Sequence, residues 1–450
     1  MPEARGRLDE VVTATAELRE VSAPYAAPAR FALTPVVLPS TTLQRLEDAS
    51  DAIFDGLDAL LRDVCAGDLR RLAALCRAPE HELPLLEATP DQDWTAVARP
   101  ELVLAGERVA VVELNCDSPA AQFALHDLLL RAQRRLPRAD ATLTAAGARA
   151  SAVTPPLVES LRRMGAGEGV VAINYWRREE AAGPIHWYLG CLARELVRYG
   201  LEAEVCPVEG LDLSREPVRL RGRPVSVVYR CFESPALEDG AERAVLDRLL
   251  DRVAAGATSL FSGFRGEICA SKICLALLSD ERYAPALPAA VVSRLEPYVP
   301  WTRVVESRRT RYDGERVDLL PWALEERARL VLKPVRGHSG LGVLIGRETA
   351  REEWERCLTQ AERGGAEGAP WVLQELVEPD EEELTTTGDD GSPASARVPS
   401  THSLFVVDRK VFGVLRRYGV SPTKTLNVNG RSGYVPAPVW WASDTSSTRT

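Results

Sequence analysis

Residues 98–122 read ARPELVLAGERVAVVELNCDSPAAQ, two β-rich runs on either side of a glycine-containing turn. A three-residue loop, Gly106 to Arg108, is a common hairpin length and sets Ala105 opposite Val109. Glu101 then lies directly opposite Glu113, and Asn115, two residues on, shares their face because strand side chains alternate. Like charges directly opposite one another destabilise a sheet, so the pairing makes sense if a divalent cation lies between them. Two carboxylates and an amide carbonyl are oxygen donors of the kind Mg²⁺ takes, its other positions going to water and phosphates. The alternative is a solvated polar face on an edge hairpin of different register.

Outward from the hairpin the chain alternates in character. After it comes a helix over Ala120 to Arg135; before it, residues 41–90 carry helical periodicity, with Leu43, Leu46, Ile53, Leu57, Leu60, Leu61 and Val64 as the apolar stripe. Residues 1 to about 35 read as irregular. Downstream, GVVAINYW (169–176), a helix over Ile185 to Tyr199, the run AEVCPV and SVVYRCF (226–232) alternate strand with helix, which predicts an α/β unit around a largely buried sheet. Beyond Ser262 come LVLKPVRGHSGLGVLIG, a helix through Trp354, and WVLQELVEP. The acidic, Thr- and Gly-rich stretch Asp380 to Ser395 reads as a mobile surface loop, followed by strands SLFVVD and VFGVLRR and a disordered tail, SDTSSTRT. There is no internal repeat.

The whole chain has 450 residues, which at roughly 150 per domain suggests about three units. With 45% hydrophobic and 27% charged residues it lies in the ordinary globular range, which argues against disorder and coiled coil. A net charge of -10 disfavours nucleic-acid or anionic-membrane binding by bulk charge. No stretch approaches a membrane span, and MPEARGRLDEVV carries charges where a signal peptide needs an apolar run, so a cytoplasmic location is expected. Nine scattered Cys and five dispersed His show no disulfide frame or zinc spacing.

Of the 55 basic residues only Lys272, Lys333, Lys410 and Lys424 are lysine, leaving 51 arginines. Where arginine serves for generic positive charge, a remaining lysine marks a place that needs a compact ammonium, such as a phosphate site; codon bias is the alternative. Lys333 ends the run Leu330 to Leu332 and precedes Gly337, Gly340 and Gly342. Glycines let backbone amides approach an anion, and a lysine at the end of the preceding strand reaches the same phosphates. The lysine precedes the glycines, so this is not a Walker A loop. A tight turn is the plainer reading.

Taken in order, RPELVL, VVELNCDSP, VVYRCF, ASKICLALL, VLKPVRGHSGLGV and WVLQELV resemble the circularly permuted ATP-grasp ligases, the glutathionylspermidine synthetase-like family, over roughly residues 90–440. The resemblance implies an α+β or α/β protein: a permuted ATP-grasp fold with a helical N-terminal layer and a pre-ATP-grasp-like α/β unit. It divides the chain into a helical region (1–90), a metal-binding hairpin and helix (91–160), the α/β domain (161–260), nucleotide-binding subdomains (261–442) and a tail (443–450). Glu101, Glu113 and Asn115 are then the Mg²⁺ ligands, with Glu101 standing where the family usually has Asp. Arg99 meets the transferring phosphoryl group, and Ser118 is the hydroxyl residue beside the reacting carboxylate. Lys272 and Lys333 hold the ATP phosphates with Gly337, Gly340 and Gly342, while Gln374, Glu375 and Leu376 form the adenine hinge. Arg416 is grouped with the nucleotide residues; in so arginine-rich a chain it and Arg230 read first as surface or salt-bridge residues, with contact to substrate or phosphate as the alternative. His338 is given no role, and Asn427 and Asn429 read as turn residues.

The chemistry implied is ATP-dependent joining of a small-molecule or peptide carboxylate to an amine through an acylphosphate, with ATP and Mg²⁺ and without nucleic-acid or membrane partners. A nucleotide-binding sensor or scaffold without turnover and a small-molecule kinase are the alternatives.

Overall fold

The hairpin forms in the computed structural model, but by a different route from the expected one. Its turn is a two-residue one, with Ala105 opposite Arg108, and Gly106 takes the left-handed φ of +57° that such a turn requires. That register alone would place Glu101 opposite Val112. A β-bulge between Glu101 and Leu102 on one strand admits Val112 as an extra residue on the other, so that Glu101 faces Glu113 after all.

The structure describes residues 32, 34–89, 96–116, 121–182, 185–232, 234, 240–337, 340–366, 369–387, 393–420, 426 and 434–442. Ser118, His338, Asn427, Asn429 and the tail 443–450 fall outside them. Among the described residues three larger sheets organise the chain, beside a two-stranded ribbon of Arg309–Tyr312 and Glu315–Asp318. The hairpin, Val97–Ala105 and Arg108–Asn115, is one end of a large sheet continued by Pro393–Val407, Lys410–Gly419, Tyr434–Ala442 and finally Val36–Pro39, this last pairing parallel. A small antiparallel sheet contains Leu344–Ile345, Leu330–Pro334, Trp371–Glu375 and Thr302–Val304, backed by the helix Arg351–Ala366 through its buried Trp354. A third sheet sets Ala203–Pro207, Val170–Tyr175, Arg223–Arg230 and Ser259–Phe261 parallel, with helices Ile185–Arg198 and Gly240–Ala254 as crossovers.

Residues 40–88 are largely helical. Helix Ser40–Ala59 buries Leu46, Ala49, Ile53 and Leu57 at three- to four-residue spacing, the stripe of an amphipathic helix. Asp68 caps the next helix, Leu69–Leu75, by accepting from the N–H groups of Arg70 (2.8 Å) and Arg71 (3.4 Å). This layer joins the large sheet in the principal core, while a second core lies between that sheet, helix Ala121–Arg135 and the parallel sheet.

Two expectations are corrected. Of the acidic stretch 380–395, expected to be a surface loop, the described residues Glu381–Thr387 and the start of Pro393–Val407 are antiparallel strands. Leu384 and Thr386 are buried while Glu381 and Glu383 are exposed, so period-two alternation underlies the charge. The run YVPAPVWWA is the strand Tyr434–Ala442, which the sequence reading passed over. Its Pro436 and Pro438 precede the point, Val439, at which the parallel neighbour begins to pair, and so lie on an open edge that tolerates a missing N–H. No helix among the described residues is long and apolar enough to cross a membrane.

Candidate functional site

The large and small sheets face each other across a cleft of about 420 Å³. From the large sheet come Arg99, Glu101, Glu113, Asn115 and Arg417; from the small sheet and its loops come Lys333, Gly337, Gly340, Gln374, Glu375 and Leu376, with Lys272 at the start of helix Ile273–Ser279. Apolar side chains of both, among them Val103, Val112, Val331, Ile345 and Val377, also line it. Such a combination of an apolar slot with a few convergent polar groups is that of a small-molecule site.

On the hairpin side, Glu101 is only 9% exposed. Arg417 donates to its Oε2, Arg99 Nη2 lies 3.2 Å from its Oε1, and Asn115 Nδ2 donates to the same oxygen at 3.2 Å. Burial pushes the Glu101 carboxyl up, but the Arg417 and Arg99 guanidiniums outweigh it and hold it below the ordinary range. Arg99 in turn donates to Gln122 Oε1, and Gln122 Nε2 lies 3.4 Å from the Tyr434 hydroxyl. Glu113 pairs with Lys272 at 3.0 Å. The repulsion implied by two facing carboxylates is therefore offset within the chain by three cations.

On the opposite side, Lys272 Nζ also donates to the Gly337 carbonyl (3.1 Å), held there by a φ of +126° that favours glycine. Lys333 Nζ donates to Gln374 Oε1 (2.6 Å) and across the cleft to the Val112 carbonyl (3.2 Å). Val112 is the bulge residue, and a bulge takes its residue out of regular pairing, so the fault that restores the Glu101–Glu113 register also presents a carbonyl to Lys333. Burial, helped by the neighbouring Lys272 charge, pushes the Lys333 ammonium down to about 8, against the pull of Glu113. Gln374 is fixed from behind by donating Nε2 to Thr302 Oγ1 at 3.1 Å.

The hairpin turn is clamped to the hinge. Arg108 bonds both oxygens of Glu375 (2.7 and 2.9 Å), and both Asp380 carboxylate oxygens accept from the Gly106 N–H (3.1 and 3.0 Å). Within the hinge, the Glu375 and Leu376 N–H groups already donate to the carbonyls of Trp301 and Arg329, each at 2.8 Å. Gly342, not among the residues that line the cleft, takes a φ of +74°, where a Cβ would come within 3.3 Å of Pro334.

Arg416 and Arg230 both take salt bridges instead of a place in the cleft. Arg416 points away from the cleft, is 2% exposed, and bonds His402 Nε2 (3.0 Å) and Glu382. Its neighbour Arg417, on the other face of the same strand, is the one that enters the site. Arg230 is fully buried, bonded to the carbonyls of Ser262 (2.6 Å), Phe232 (2.7 Å) and Gly263 (3.0 Å) and paired with Glu267 at 2.7 Å. Gln122, Tyr188, Thr401 and Tyr434 also line the cleft and were missed. For Thr401 and Arg417 strand alternation was a usable signal, since Thr401 lies opposite Arg417 and Ser403 opposite Glu101.

No family model matches the chain, and no curated protein matches it in sequence. Among solved structures it is similar to a glutathione synthetase-like effector from Globodera pallida in its apo form, at a TM-score of 0.60 and 12% identity over 97% of each chain. A likeness to a putative γ-glutamylcysteine synthetase from Methylobacillus flagellatus has TM-score 0.44 and 12% identity, covering 82% of this chain and 86% of that one. One to a D-cycloserine synthetase has TM-score 0.26 and 24% identity, covering 46% and 60%. The first establishes a shared fold; the other two align too loosely to carry an argument.

Proposed function

We propose that this chain is a permuted ATP-grasp ligase that joins a carboxylate to an amine, forming ADP and phosphate through an acylphosphate. The observation that carries the proposal is the meeting, in one cleft, of two of the four lysines with an oxygen-donor set and two arginines from the facing sheet. The order along the chain, metal-type hairpin before nucleotide lysines, and the fold shared with a glutathione synthetase-like protein support it.

On this reading adenine lies against apolar lining residues such as Val103, Val331 and Val377. The Glu375 and Leu376 N–H groups are engaged by strand neighbours, so the base is met by hinge carbonyls and side chains. Lys333 exchanges its amide and carbonyl partners, and Lys272 its Gly337 carbonyl, for phosphate oxygens, which carry the negative charge that those neutral acceptors lack. Glu101, Glu113 and Asn115 fit Mg²⁺ by donor chemistry, being oxygen ligands gathered on one face, and would hold it there. Bound so, the ion would supply charge neutralisation on the phosphates. Arg99 and Arg417 orient the substrate carboxylate for attack on the γ-phosphorus and stabilise charge on the transferred group. Gln122 and Tyr434 position Arg99. No protein nucleophile is needed.

Carboxylate oxygen-18 tests the chemistry. With the substrate pair found by screening pools for ADP release, the label is expected in inorganic phosphate, because the oxygen that attacks phosphorus leaves with it. Label in AMP, or an amide formed with none in phosphate, overturns the acylphosphate route; ADP release without any amide overturns the ligase in favour of a kinase.

A further inference from the structure

One short run of backbone, Lys333 to Gly337, ties both lysines of the cleft together. Lys333 lies at the end of the strand Leu330–Pro334. Lys272 is bonded to the residues that follow in two places: its N–H donates to the Val335 carbonyl at 3.3 Å, and its Nζ to the Gly337 carbonyl at 3.1 Å. Where this run lies therefore sets where the Lys272 ammonium lies. Val335 is anchored by burial in the principal core and by donating its N–H to the Pro370 carbonyl at 3.0 Å. Arg336 stands between the two carbonyls that Lys272 uses.

The partner of Arg336 comes from the N-terminal layer. Glu82 closes the turn Glu80–Glu82 that leads into helix Leu83–Ala88. Arg336 donates to both of its carboxylate oxygens, Nη2 to Oε2 at 2.7 Å, a two-point grip that fixes orientation as well as distance. The support itself is firm. Glu82 is buried, Leu85 and Leu86 just beyond it belong to the principal core, and Arg243 Nη1 donates to the His81 carbonyl at 3.3 Å. A site holds its geometry only when the groups behind the contacting ones are themselves locked.

We propose that Glu82 is a positioning residue for the nucleotide site: through Arg336 it fixes the backbone between Val335 and Gly337, and with it the Lys272 ammonium. The proposal rests on the ligase reading, in which Lys272 meets phosphate, and adds a task for the N-terminal layer. None of the described residues lining the cleft comes from residues 40–88, so that layer acts on the site from behind. The plainer role for Arg336 is to neutralise a buried carboxylate. The two roles make different predictions for nucleotide affinity.

The test is calorimetric titration of the full chain with a non-hydrolysable ATP analogue and Mg²⁺. Glu82→Gln removes a negative charge on the side of the phosphates, which by charge alone leaves their affinity unchanged or raises it. Arg336→Lys keeps the positive charge but cannot grip both carboxylate oxygens. Each is nevertheless expected to weaken the analogue about tenfold, as when a positioned group shifts by less than about 1 Å. In a Lys272→Met background, Glu82→Gln is expected to change affinity by less than about twofold, because its effect runs through the ammonium already lost. Misfolding or a general loosening of the cleft would cost as much there as in the parent. Parent-like affinity in Glu82→Gln, or an equal loss in both backgrounds, overturns the positioning role alone. Failure of the parent chain to bind the analogue, or full affinity in Lys272→Met, overturns the nucleotide reading and the positioning role with it.

Discussion

Lys333 combines a burial cost with a proposed phosphate contact, and the two can be separated by pH. Its ammonium titrates at about 8 rather than at the ordinary 10.5, which withholds about 3 kcal/mol from the charged form. The unfolded chain keeps that proton up to 10.5, so between 8 and 10.5 it binds more protons than the folded one, and this residue makes stability rise with pH across that window. Below 8 the cost is present in full. Lys333→Met removes it but leaves Gln374 Oε1 and the Val112 carbonyl without their donor, about 1–3 kcal/mol for a buried acceptor. The terms nearly cancel, so stability at pH 7 is expected to stay within about 2 kcal/mol of the parent. Affinity for a non-hydrolysable ATP analogue is expected to fall by about 1.5–3 kcal/mol, the worth of a hydrogen bond to a charged group. In the parent, binding requires the protonated lysine and so weakens about tenfold from pH 7 to pH 9, with proton uptake near pH 8. Titration calorimetry in two buffers of different ionisation enthalpy measures that uptake directly. Equal enthalpies in both buffers at pH 8, or an undiminished pH dependence in Lys333→Met, would refute the reasoning.

Glu113→Gln deprives Lys272, itself 7% exposed, of its carboxylate partner; calorimetry should show the ligand-free protein less stable by about 1–2 kcal/mol, and the thermal shift produced by Mg²⁺ should vanish. Arg230→Met strands the buried Glu267 charge and should destabilise by about 3–5 kcal/mol in urea unfolding; a stable but inactive variant would return Arg230 to the substrate. Arg417→Leu should abolish ADP release while Lys410→Ala leaves ATP-analogue affinity unchanged, since Lys410 is exposed at the start of its strand; equal effects would show that the cleft is not the site.

The site was legible where chemistry and period agreed. Glu101 facing Glu113 could be read because both like charges lie on β-rich runs, although the turn was misjudged by one residue and the bulge at Val112 corrected for it. Bulges leave no mark in composition, which is why the bond from Lys333 to the Val112 carbonyl was invisible. The choice of Arg416 over Arg417 failed on a single step of alternation: adjacent strand residues point to opposite faces, and only the partner strand says which face holds the cleft. The strand Glu381–Thr387 was hidden by charge on its exposed face, and Tyr434–Ala442 by prolines that a partly open edge accepts. Gln122 and Tyr434 carry no local signal, because their role comes from contact with Arg99 over long sequence separations.

The parallel pairing of Val36–Pro39 with Val439–Ala442 has a mechanical consequence. Tension applied between Val36 and Ala442 pulls these two strands in opposite directions along their own axes, so the ladder is loaded in shear and its bonds must fail together rather than peel one at a time. Behind it, helix Ser40–Ala59 leads directly into the packed layer, so rupture of this pair exposes the principal core to the load. Stretched from these two points, the molecule should resist at once and yield abruptly, at a rate set by its unfolding barrier rather than by its equilibrium stability.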